Sequence, residues 1–171
     1  GFFVTRTRWL LLGATIGSLL LGSVAHAVTL LPGEYLVSSD ASLLVLDLED
    51  DRVEVVSSST VGGGLAWAGL RSFDLADDGF VYAATLGNDA QAAIIGIDPD
   101  TGDRTLVSSN TRGQGLALSQ PRAVLAARSG ALYVADVLPA GDLTTARVFR
   151  IDPVTGDRTL VAESIPGEGS Q

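Results

Sequence analysis

The feature that most constrains this chain is that it repeats itself. The segment IIGIDPDTGDRTLVSS at 94–109 recurs as VFRIDPVTGDRTLVAE at 148–163, so that Asp98 corresponds to Asp152, 54 residues on. A fainter copy, LLVLDLEDDRVEVVSS at 43–58, sets Asp47 against Asp98, a spacing of 51. A second block repeats in the same register. FDLADDGFVYAAT (73–85) aligns with VLAARSGALYVAD (124–136), Gly79 on Gly130 and Tyr82 on Tyr133. The connecting loops repeat as well: Gly62-Gly63-Gly64, Gly113-Gln114-Gly115 and Gly167-Glu168-Gly169. Such periodicity implies stacked supersecondary units, none of which buries its apolar face alone.

Each repeat holds four short runs rich in Val, Leu, Ile and Tyr and bounded by turn residues, which predicts strands. In the clearest copy these are Val124–Ala127, Ala131–Val137, Arg147–Asp152 and Arg158–Glu163. Arg128-Ser129-Gly130 predicts one tight turn. Asp152-Pro153-Val154-Thr155-Gly156 predicts the next, with Pro presetting φ and Gly taking the position that needs positive φ. No segment after residue 27 keeps a helical period. Four antiparallel strands per repeat form a β-propeller blade, so the sequence predicts an all-β chain with repeats near 34–58, 70–109 and 121–163. The first repeat, read from Glu34, supplies three strands. Closed propellers have about four to eight blades. The expectation is therefore an incomplete ring, a fragment of a longer protein that begins Gly1-Phe2-Phe3 rather than with Met. An oligomer would be needed only if the chain were complete.

The run PRAVLAARSGALYVADV followed by VFRIDPVTGDRTLV resembles the NHL repeat and the related blades of SMP-30/gluconolactonase-like six-bladed propellers. The resemblance extends from Leu31 to Gly169. Pro121, Gly130, Tyr133, Val134 and Asp136 stand at the family's usual positions. Ala123 stands where Gly is common and Ala127 where Asp is common; in the preceding repeat Leu70 replaces the Pro and Thr85 the Asp. The resemblance implies a propeller fold and admits a calcium-dependent lactonase. That family's metal ligands come from several blades, and none can be matched to a residue here.

Composition narrows the chemistry. The chain has no Cys, and its one His, His26, lies in the leader described next. Nucleophilic Cys, Ser-His-Asp hydrolysis and thiolate or His-ligated zinc are thereby excluded within residues 28–171. The net charge of −9 repels phosphate backbones and argues against a nucleic-acid partner.

Residues 1–27 read as a signal peptide. Arg6 and Arg8 supply the basic region, residues 9–24 are uncharged and apolar, and Ala25-His26-Ala27 is a small-x-small cleavage site. A transmembrane helix is the competing reading. Sixteen residues at about 1.5 Å each reach roughly 24 Å, short of the roughly 30 Å hydrocarbon core. Cleavage after Ala27 would leave a periplasmic or extracellular protein with no membrane segment.

Several side chains merit weighing. Asp98, Asp100 and Asp103 place three carboxylates on one loop, as Ca²⁺ binding would need. Val154 replaces Asp100 in the next copy, however, and a structural turn already accounts for the motif. The Gly-x-Gly loops lack the helix and the Lys-Ser/Thr of a phosphate cradle and read as connectors. Asp77-Asp78-Gly79, just after Asp74, reads as an exposed hairpin turn. Trp67, in a Gly-rich connector, reads as a plug between blades, with an exposed binding aromatic as the alternative. Asp136 ends an apolar strand and is the candidate ligand-facing acid, with bonding to neighbouring backbone amides as its structural alternative. No catalytic or cofactor residue emerges, and Ca²⁺ is the one cofactor left open. The function expected is a binding or interaction scaffold for a protein or small-molecule ligand. The alternatives are the calcium-dependent hydrolase and a structural repeat of the cell envelope.

Overall fold

The computed structural model describes residues 4–6, 33–39, 42–67, 69–86, 91–140 and 143–164. They form three four-stranded antiparallel sheets, which we call blades. The first contains β1 (Val4–Arg6), β2 (Glu34–Ser39), β3 (Ser42–Asp47) and β4 (Arg52–Ser58). The second contains β5 (Leu70–Leu75), β6 (Val81–Leu86), β7 (Ala92–Ile97) and β8 (Arg104–Ser109). The third contains β9 (Gln120–Ala126), β10 (Leu132–Ala140), β11 (Leu143–Ile151) and β12 (Arg158–Glu163). Within each blade consecutive strands are neighbours, so every hydrogen-bonded pair is a hairpin apart from β1 with β2.

Two details differ from the sequence expectation. The first blade has four strands rather than three, because Val4–Arg6 pairs antiparallel with β2, Val4 opposite Val37 and Arg6 opposite Tyr35. Three residues so far upstream carry no periodic pattern that could announce them. The rest of the leader, including Ala25 and Ala27, lies outside the described residues, as do Gly167 and Gly169. Secondly, the β10–β11 hairpin is longer than read, with nine residues in each strand against six in its counterparts. Pro139 opposes Thr144 and the ladder runs on to Ala140 and Leu143, past the ends at Val137 and Arg147 expected from the apolar runs.

The blades stack face to face, and this explains their sequences. The second blade is covered on both sides, and every residue of β7 is buried. A strand covered on both faces needs a continuous apolar run, and AAIIGI is one. In β12 only Arg158 is buried. We call the side of a blade that meets the preceding blade its leading face, and the other its trailing face. The first joint packs Leu36, Leu43, Val45 and Val56 against Phe73, Val81, Ile95 and Ile97. The second packs Tyr82, Ala84, Ile94 and Val107 against Leu132, Val134, Phe149 and Ile151. Phe149 is fully buried, and burial of a side chain of this kind contributes about 1.5–3 kcal/mol.

Asp77-Asp78-Gly79 is the hairpin turn expected, with Gly79 at φ 89°. Asp78 Oδ1 accepts the Phe80 amide at 3.0 Å, and its Oδ2 accepts the Tyr82 hydroxyl at 2.9 Å. Burial first, then the hydrogen bond to Asp78 and the carboxylate's charge, raise the Tyr82 pKa well above the ordinary tyrosine range. The fold thus holds the proton that the unfolded chain releases near pH 10. Tyr82 therefore contributes stability that is complete below about pH 10 and declines as pH rises beyond it. Urea melts of Tyr82→Phe and the parent at pH 8 to 11 should show the parent's extra stability shrinking above about pH 10. An unchanging difference would mean that Tyr82 titrates alike in both states.

Candidate functional site: the inter-blade joints and the Asp136–Arg147 pair

The recurring DPxTGDR motif and the recurring glycine connector meet in space as two halves of one clasp. Arg104 opens β8 and points back into the first blade. Its Nη1 donates to Ser57 Oγ at 2.8 Å and to the carbonyls of Ser58 at 2.7 Å and Val61 at 3.0 Å. Its Nε donates to the Leu65 carbonyl at 2.6 Å and its Nη2 to that of Gly62 at 3.3 Å. Arg158 repeats the pattern one blade on. Its partners are Ser108 Oγ at 2.8 Å and the carbonyls of Ser109 (2.7 Å), Arg112 (2.9 Å), Leu116 (2.8 Å) and Gly113 (3.4 Å). Both guanidinium groups are buried. Burial lowers the pKa of Arg158, with the charge of Asp157 opposing.

The rest of the motif builds the seat for that arginine. Asp98 Oδ1 accepts the Asp100 amide at 2.9 Å, and Thr101 Oγ1 accepts the Asp103 amide at 3.2 Å, fixing the turn. Asp103 Oδ1 accepts the Gly63 amide at 2.5 Å, and Asp157 Oδ1 accepts the Gln114 amide at 2.7 Å. The turn and the connector approach so closely that a Cβ on Gly113 would overlap the Gly156 carbonyl. Gly113 also sits at φ 83°, which an L side chain rarely adopts. Of the three carboxylates read as a conceivable calcium loop, that of Asp98 serves the local turn and that of Asp103 the inter-blade bond. Among the described residues no three acidic side chains converge as metal ligands would.

Trp67 packs, half-buried, against the first joint, with the Arg104 guanidinium 5.2 Å from its ring centroid. This is the plug position expected of it. Asp74 links inner strands: its Oδ2 accepts the Ala126 amide at 2.8 Å, while Ser72 Oγ accepts that of Val124 at 3.3 Å.

Asp136 is 1% exposed. It lies directly opposite Arg147 across the β10–β11 ladder, and Arg147 Nη2 donates to its Oδ2 at 2.5 Å. Its Oδ1 accepts the amides of Ser119 at 3.0 Å and Gln120 at 2.7 Å. Arg147 also donates to the Ala117 carbonyl at 3.0 Å and lies 5.1 Å from the Phe149 ring centroid. Its Nε is buried without a hydrogen-bond partner. The second blade does the same job with Thr85, whose hydroxyl donates to the Gly69 carbonyl at 2.7 Å. In both blades this position ties the second strand to the incoming connector. Asp136 accepts where Thr85 donates. A buried carboxylate whose two oxygens are engaged by a guanidinium and two amides acts here as a structural tie.

Sequence reasoning missed Arg104, Arg147 and Arg158. For Arg104 and Arg158 a signal was present, since the arginine and the Gly-x-Gly loop recur at one period; that they touch across some forty residues is not written in either motif.

No family model matches the chain, and no curated protein matches it. Among solved structures it is similar to a candidate 6-phosphogluconolactonase from Bacteroides fragilis, at 18% identity and a TM-score of 0.43. That likeness covers 78% of this chain and 37% of the other, so the chain spans well under half of the structure it matches.

Arg158→Ala should lower stability by about 3 kcal/mol, because it leaves several buried carbonyls without donors. Arg122, exposed and bonded to the Gln120 side chain, should cost about 1 kcal/mol or less when replaced by Ala. Denaturant unfolding of the two variants checks this. Equal losses would deny the clasp its structural role.

Proposed function

We propose that this chain is part of an exported β-propeller that acts as a binding scaffold rather than as a catalyst. The observation that carries this reading is the state of Asp136, the acid best placed to serve chemistry, whose two oxygens are both engaged by protein donors. The other repeated polar residues are spent in the same manner, holding turn to connector and blade to blade. Recognition falls to the face that bears the connectors and the lengthened β10–β11 hairpin, where Leu138, Pro139 and Thr144 are exposed. Export rests on Arg6, Arg8, the apolar run and Ala25-His26-Ala27. Cleavage there would remove β1 with the leader and leave β2 as an open edge.

The competing reading, a calcium-dependent lactonase, needs a cation held by side-chain oxygens. Calorimetric titration of the chain with Ca²⁺ should give no saturable heat at micromolar concentrations. Micromolar binding that is lost in Asp136→Asn would overturn the scaffold reading. Intact-mass analysis after expression in an exporting host should find a chain beginning at Val28; an uncut chain in the membrane fraction would mean the leader is an anchor.

A further inference from the structure

The first strands of the second and third blades, β5 and β9, lie side by side. Ser72 Oγ accepts the Val124 amide and Asp74 Oδ2 that of Ala126, so these residues stand level in pairs. Each strand breaks its ladder at one point. In β5, Leu70 opposes Thr85 and Ser72 opposes Ala84, which leaves Arg71 as the extra residue of a β-bulge. In β9, Pro121 opposes Asp136 and Ala123 opposes Ala135, which leaves Arg122 as the extra residue. The two bulges fall at the same place in the repeat, and both hold arginine. A bulge takes its extra residue out of the ladder and re-aims its side chain.

Arg71 is exposed although the leading and trailing faces of its blade are both covered, and β5 is the edge strand of its sheet. In a propeller the edge formed by the first strand of each blade borders the central channel. Arg122 is likewise exposed, with Nη2 donating to the Gln120 side chain. Each arginine is the second or third residue of its strand, so both stand where the connectors enter. Among the described residues neither is paired with a carboxylate. The acid nearest Arg122 in the ladder, Asp136, is already held by Arg147 and two amides. Asp74 is engaged by the amides of Leu75 and Ala126. Two like charges are thus left unneutralised on adjacent strands, in a chain with 20 acidic residues against 11 basic ones. Their repulsion is relieved by an anion placed between them.

We infer that Arg71 and Arg122 form an anion site at the connector end of the channel, for a small molecule bearing two or more carboxylate or phosphate groups. The inference rests on the binding-scaffold reading and gives that scaffold a ligand class. A guanidinium presents a planar fork that matches two oxygens of a carboxylate or a phosphate. Arg71 stands level with Ala123, one residue from Arg122, so the two forks suit a ligand with two such groups. Neither arginine serves the joints, which use Arg104 and Arg158. The net charge of −9 opposes diffuse attraction of anions, so affinity has to come from this local pair.

Calorimetric titration of the full chain with citrate and with pyrophosphate, at about 50 mM salt, tests this. At least one should bind saturably with a Kd below about 1 mM, and acetate at least about tenfold more weakly. Citrate alone would assign the site to carboxylates, pyrophosphate alone to phosphates. Arg71→Gln and Arg122→Gln should each weaken binding at least about tenfold while leaving the urea midpoint unchanged. Arg128→Gln, at an exposed arginine in the β9–β10 turn, should leave binding as it is. Binding of neither anion overturns the site, and the scaffold reading is then decided separately by the Ca²⁺ titration. Binding that Arg128→Gln weakens as much as Arg71→Gln does is diffuse, and overturns the site as well.

Discussion

A buried guanidinium with no carboxylate bonded to it must find a hydrogen-bond acceptor for every N–H it brings, and here backbone carbonyls and one serine hydroxyl meet that need. Arg104 and Arg158 set that demand, and the geometry of the joints follows from it. Strand pairing alone would leave the end of β4 and the loop after it with unpaired carbonyls facing a neighbour. The arginine gathers four of them and one serine hydroxyl into one cage. The close approach that this requires admits only glycine at the contact, and the aspartate before each arginine pins the connector to the turn. A motif that looks like turn chemistry is thus the means by which one blade is registered on another.

The joints are otherwise apolar, and the division of labour is physical. Phe149, Ile94 and Leu132 supply the burial that holds the sheets together, but apolar faces slide over one another at little cost. Directional bonds at the outer rim and between the inner strands fix where the sliding stops. Asp136 and Thr85 add the same control at the connector face with opposite polarity, one accepting where the other donates. Among the described residues, Arg147 Nε is the buried side-chain group left without a hydrogen-bond partner, so that tie is imperfectly satisfied.

Much of this was legible in the residues. Strand number and order in the second and third blades follow from alternating apolar runs and from the turn chemistry of Gly130 and Gly156, which adopt the positive φ expected of them. The role of Trp67 was also readable, since an aromatic ring in a glycine-rich connector has few other places to go. Val4–Arg6 was not, because a three-residue strand takes its identity from its partner β2. Nor was the reach of the β10–β11 hairpin, where pairing takes in Pro139 opposite Thr144. The clasp escaped notice because periodicity reveals which residues are equivalent, whereas contact between unlike parts of successive repeats is a property of the stack.

The clasp also has a direction along the polypeptide. Arg104 closes on residues 57–65 and Arg158 on residues 108–116, in each case backbone that precedes it. A chain drawn through a narrow pore amino end first would deliver each cage before the arginine that fills it. Every hairpin within the second and third blades is likewise local, so little of the assembly has to wait for sequence still to come. The molecule can be assembled in the order in which it is threaded, each arriving blade locking the one before.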